Sequence, residues 1–135
     1  MTKKALVLIA GLLIIGFVWA VNSKPQLSFF SSDRYAYLGS NSSSADIVKT
    51  NNFCLYFNRT GESVELAYKV DVDKIFNGLQ AKLVFSEQTD DGVSYYAYSP
   101  VLKFQTLLSG KRVNLHVFVG ENRSVIGSPL IFGSF

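Results

Sequence analysis

Seventeen uncharged residues, Ala5 to Val21, follow Lys3 and Lys4 at the head of this chain, and they constrain everything behind them. So apolar a run has no place on the surface of a water-soluble domain. As a helix it would span about 26 Å, at the short edge of what crosses a hydrocarbon core of roughly 30 Å. It also slightly exceeds the ~15-residue apolar core of a cleavable export signal. Val18-Trp19-Ala20 offers modest side chains to a signal peptidase, while Trp19 equally suits an interfacial aromatic that steadies an uncleaved helix. Two readings therefore stand: a transmembrane anchor, and a signal peptide cut near Ala20. In both, Lys3 and Lys4 stay cytoplasmic and the chain from Asn22 onward is translocated. The protein is then either single-pass in the cell membrane with its C-terminal domain outside, or secreted. Its lone cysteine, Cys54, lies far beyond the run, so lipoprotein processing is not supported.

The formal charge of +3 comes from 13 basic and 10 acidic residues. Without Lys3 and Lys4 the exported part is close to neutral, and its lysines and arginines are scattered singly apart from Lys111-Arg112. That leaves no electrostatic footprint for nucleic acid. With Cys54 alone, no intramolecular disulfide can form and the fold rests on its core. Cys54 reads as a small apolar residue, or more sharply as a reactive or intermolecularly paired thiol. A disulfide-free exported domain points to a bacterial cell envelope. In that setting the sequons at Asn41, Asn58 and Asn122 are chance.

Residues 22–52 hold eight serines with Pro25 and Gly39 and no sustained period, the composition of a Ser-rich, disordered spacer. Leu27-Ser28-Phe29-Phe30 and Tyr35-Ala36-Tyr37-Leu38 interrupt it, either as strand-like segments that dock on the domain or as sticky spots in a stalk. The folded domain is expected over 53–135, enough for one core. Phe53–Phe57 reads as a first strand and Val64–Val70 as a second. Val72, Ile75, Phe76 and Leu79 then recur at helical spacing behind Asp71, a suitable N-cap. Strands are predicted at Ala81–Glu87 and Val93–Ser99 about a Thr89–Gly92 turn, and at Leu102–Leu108 before a turn at Ser109-Gly110. The clearest strand is Val113–Val119, with Val113, Leu115, Val117 and Val119 on one face. Ser124–Phe132 returns it, and Pro129 argues for an edge strand or bulge there. The expected architecture is α+β: an N-terminal transmembrane or signal helix over 1–21, then one antiparallel sheet of about five to seven strands carrying a short amphipathic helix.

No residue pattern points to catalysis, a metal or a cofactor. His116 is the sole histidine, so the zinc motifs that need two are excluded. Its place opposite the valine face reads as a solvated or half-buried strand residue; a hydrolase built on Cys54 and His116 is the weakest alternative. The pairs Glu62/Glu65, Asp71/Asp73 and Asp90/Asp91 fall at a strand start, a helix cap and a turn, where each has a structural use. The ten glycines form no phosphate-binding loop. Tyr95, Tyr96 and Tyr98 are more telling, because seven tyrosines and eleven phenylalanines exceed what so small a core needs. Strand packing accounts for them blandly. Alternation puts Tyr96 and Tyr98 on one face and Tyr95 on the other with Ala97; the sharper reading is a tyrosine-lined sheet face, with Phe118, that grips a protein, a glycan or a small apolar ligand.

Val113–Val119 together with Val125-Ile126-Gly127-Ser128-Pro129-Leu130-Ile131-Phe132 resembles the ending of the YwmB-like family of exported Bacillota proteins. The resemblance implies a helix on a curved sheet of TATA-box-binding-protein type and an extracytoplasmic compartment, but no activity. The domain here is about half the length such a family implies, one repeat unit instead of two. The combined expectation is a non-enzymatic, membrane-anchored or secreted module acting on a protein or envelope component. Self-association by strand addition is open to it, and ligand binding at the tyrosines is the alternative.

Overall fold

The structure is a computed structural model that describes residues 2–28, 30, 32–39 and 45–133. Helix α1 runs Lys3–Ser23, capped by Thr2, whose Oγ1 accepts from the Ala5 amide at 3.3 Å. Its 21 residues make a rod of about 31 Å, longer than the uncharged run alone and matched to a bilayer core. Among the described residues it is the one helix long and apolar enough to cross a membrane.

Behind it lie β1 (Asp33–Leu38), β2 (Asp46–Lys49), a 3₁₀ turn (Phe53–Tyr56), β3 (Gly61–Leu66), α2 (Val72–Leu79), β4 (Lys82–Gln88) and β5 (Gly92–Tyr98). The chain continues through β6 (Thr106–Leu108), β7 (Lys111–Val113), β8 (Leu115–Gly120) and β9 (Ser124–Ser128). Seven strands form one antiparallel sheet in the order β2-β1-β3-β9-β8-β5-β4, and β6 and β7 pair as a separate hairpin. The fold is α+β, with the short helix α2 packed on the sheet.

Alternation decides which face each residue takes. Val64 and Leu66 of β3, Ala97 of β5, Leu115, Val117 and Val119 of β8 and Ile126 of β9 gather with Ile75 and Leu79 of α2 in one core. Asp71 caps α2 as expected, its carboxylate accepting from the Asp73 and Lys74 amides at 3.1 and 3.4 Å. Asp71→Ala is expected to cost about 1 kcal/mol, checked as a shift of the urea midpoint without a change of slope.

Four expectations need correction. Residues 22–52 are not a disordered spacer throughout: Leu27 is fully buried, and β1 and β2 extend the sheet. Serine-rich composition hides this because Asp33–Leu38 becomes a strand by pairing with residues 61–65, far along the chain; residues 40–44 lie outside the described ones. Phe53–Tyr56 is a 3₁₀ turn and not a strand: Phe53 turns fully inward while Leu55 and Phe57 stay exposed. Strand β9 is central, between β3 and β8, and Pro129 follows its last residue in a cis peptide with Ser128. Leu102–Leu108 is strand only over its last three residues.

Candidate functional site

The face of the sheet opposite α2 carries the aromatic residues. Register places Phe85 of β4 beside Tyr96 of β5, and Tyr96 beside His116 of β8. Their rings stack in a row, with centroids 4.5 Å apart for Phe85–Tyr96 and 4.3 Å for Tyr96–His116. The row runs from the buried middle of the sheet to its outer strand. There the Lys111 ammonium lies 5.5 Å from the centre of the Phe85 ring, a cation–π contact. Strand β4 is the outermost on this side, and five of its seven residues are exposed. A register shift between Leu83 and Phe85 marks a bulge, a device that discourages indiscriminate pairing at a sheet edge.

The inner end of the row is sealed. After Pro129 the chain folds back across this face: the Ile131 amide donates to His116 Nδ1 at 3.2 Å, and the Phe132 amide donates to the Tyr37 hydroxyl at 3.0 Å. The rings of Tyr37 and Phe132 stack at 4.4 Å. Gly127 makes the crossing possible, because a Cβ there would lie 2.7 Å from the Leu130 carbonyl oxygen. The Gly-Ser-Pro ending thus serves to lay a strap over the sheet.

His116 is buried, only 4% exposed, which corrects its reading as a solvated or half-buried residue. Because Nδ1 accepts from Ile131, the neutral ring carries its proton on Nε2, which donates to Ser94 Oγ at 3.0 Å. Burial pushes its pKa down to about 4. Both ring nitrogens are therefore engaged, and Ser94 receives a proton from the ring where a nucleophile would need to give one up. Cys54 sits on the 3₁₀ turn, and its side chain lies outside the described ones.

Of the four aromatic site residues expected from sequence, Tyr96 joins the row and Tyr98, half-buried, lies opposite Lys82 at the end of β5. Tyr95 points the other way and packs against the core. Phe118, 2% exposed, lines a surface depression of about 310 Å³ together with Asp91, Gly120, Glu121 and Arg123. Tyr95 and Phe118 thus do not form one surface with Tyr96. Phe85 belongs to the row, and sequence reasoning misses it because the bulge in β4 breaks the alternation that would reveal its face. Two clefts near Glu65 measure about 220 and 140 Å³, below the roughly 300–1,000 Å³ of small-molecule sites. Among the described residues no three His, Cys, Asp or Glu side chains gather to hold a metal ion.

A second constellation lies where the chain leaves α1. Arg59 and Glu62 form an ion pair at 3.1 Å with both side chains 1% exposed. Glu62 Oε1 accepts from the Leu27 amide at 2.7 Å, and Arg59 donates to the carbonyls of Lys24 and, at 3.3 Å, Tyr56. Arg59 also lies over the Phe53 ring, 4.8 Å from its centre. Gln26 accepts from the Lys103 amide. The three residues after Ser23 are thus tied to the domain at Lys24 and Gln26, and Leu27 is in its core. Comparison with family models, curated proteins and solved structures gave no match to this chain.

Proposed function

We propose that this chain is a membrane-anchored extracytoplasmic module that acts by contact with protein, without catalysis. The observation that carries the reading is the open edge of β4, flanked by the Phe85–Tyr96 stack, on a domain fastened directly behind a membrane-length helix. An exposed sheet edge recognises a partner by main-chain pairing, and aromatic rings beside it supply the buried contact that gives affinity. A second copy of the chain is the simplest such partner in a cell envelope. The reading takes α1 as a retained anchor, for which Trp19 near its outer end suits an interfacial position. The engaged ring nitrogens of His116 support a role other than an enzyme's. The resemblance to the YwmB-like ending supports the compartment alone.

The test is chemical crosslinking of the full chain in membranes, comparing wild type with Leu83→Lys on β4 and Tyr96→Ala in the stack. Loss of a central contact of about 2 kcal/mol weakens association roughly 30-fold, so crosslinked species should fade in both variants. The alternative is a glycan or small apolar ligand held at Phe85, Tyr96 and Tyr98. A ligand isotherm abolished by Tyr96→Ala, with crosslinking unchanged, would establish that instead.

A further inference from the structure

We infer that the 3₁₀ turn is a second membrane contact, with Phe57 and Leu55 seated among the acyl chains of the bilayer that α1 crosses. The inference rests on the reading of α1 as a retained anchor. Phe57 and Asn58 line a groove of about 550 Å³ whose other wall is Ile14, Ile15, Val18 and Trp19 of α1. The chain leaves α1 at Ser23, yet this turn stands beside residues one to two and a half helical turns earlier. The domain therefore folds back along the helix toward its N-terminal end.

Lengths decide where that places Phe57. If the turn stayed in water, the bilayer could reach only as far as Leu13. The remaining helix, Lys3–Leu13, would be about 16 Å long, half of the roughly 30 Å it must cross. If α1 spans with its full length, the groove wall from Trp19 back to Ile14 lies about 6–14 Å inside the helix exit. Its outer part is at the depth where interfacial apolar side chains rest, some 5–10 Å into the headgroup and acyl boundary, and its inner part lies deeper among the acyl chains. The side chains agree: Leu55 is 70% and Phe57 50% exposed, although Phe53 and Arg59 on either side of them are buried. The groove walls are apolar apart from Asn58. A lipid chain fits that wall and continues the surface that α1 already presents to the bilayer.

The test places an indole at position 57. Trp19 is the only native tryptophan, so Phe57→Trp is made in a Trp19→Phe background, with Leu55→Trp as an independent second reporter. The full chain is reconstituted in phosphatidylcholine vesicles, with and without lipids brominated on the acyl chain. The expected result is blue-shifted emission from the Phe57→Trp variant that loses most of its intensity to brominated lipid and little to aqueous iodide. Strong quenching by iodide and none by brominated lipid overturns the inference. Protection from both quenchers, with crosslinked dimers, also overturns it and assigns the groove to a second copy. Trp19 of the unmodified chain is the control for the anchor itself. If brominated lipid quenches Trp19 but not the indole introduced by Phe57→Trp, only the second contact fails; if it quenches neither, α1 is not in the bilayer.

Discussion

Replacing Glu62 with alanine is expected to destabilise the domain by about 3–5 kcal/mol, because it leaves the Arg59 guanidinium buried without its counter-charge. The same change removes the acceptor of the Leu27 amide, made at 2.7 Å, and an orphaned buried donor adds its own penalty. The loss should appear as a lower urea midpoint of the full chain in detergent, followed by circular dichroism. Glu62→Gln keeps an acceptor for Leu27 but not the charge, and should fall between. Replacing both partners by apolar residues, Arg59→Met with Glu62→Leu, should recover most of the loss, since buried pairs are often worth no more than well-packed hydrocarbon. A Glu62→Ala variant within about 0.5 kcal/mol of wild type, as for a surface position, would contradict the role assigned to the pair. Beyond stability, these residues hold the α1 exit to the domain, so unfastening them should also loosen the domain from α1.

The second large effect is acid lability through His116. Its folded pKa of about 4 lies below the ordinary 6.5 because burial disfavours the charged ring. Between those values the unfolded chain binds a proton that the folded chain refuses, so stability rises with pH across this window. The contribution is complete above about pH 6.5 and lost as pH falls toward 4. At 1.36 kcal/mol per unit it amounts to about 3 kcal/mol. Protonation also fills Nδ1, which accepts the Ile131 amide, so the strap over the sheet should loosen in the same range. Glu62 acts in the opposite sense: burial raises its pKa despite Arg59, so its share of stability declines as pH rises above the usual carboxylate range. Comparing wild type with His116→Gln isolates the histidine, because Glu62 is common to both. The urea midpoint of wild type should fall more steeply between about pH 7 and 4.5 than that of the variant. Equal slopes would mean that His116 is accessible to protons in the folded state.

The parts of this fold visible in the sequence are those with local periodicity. Val72–Leu79 carries a helical stripe behind a good cap and the apolar N-terminal run is unmistakable, and both are where the residues place them; Val113–Val119 alternates cleanly, but only Leu115–Val119 of it lies in β8, the chain leaving strand at Asn114 and Val113 ending β7 in the separate hairpin. What stays hidden depends on contacts distant in sequence. Asp33–Leu38 is a strand only because β3 lies beside it, and the burial of His116 depends on a strap fifteen residues later. Phe118 faces the side of the sheet expected of it but is covered there. One local signal is nonetheless present. In Gly61–Leu66, Glu62 shares its face with Val64 and Leu66, and a carboxylate in an apolar row implies a buried partner; Arg59, three residues earlier, is that partner.

The most direct test of a retained anchor with an external domain is mass mapping after labelling intact cells with a membrane-impermeant amine reagent. The expected result is a full-length polypeptide in the membrane fraction, modified at exposed Lys82 and Lys111 and unmodified at Lys3 and Lys4. A polypeptide in the medium beginning at Val21, or labelling at Lys3 and Lys4 with the domain lysines protected, would contradict it.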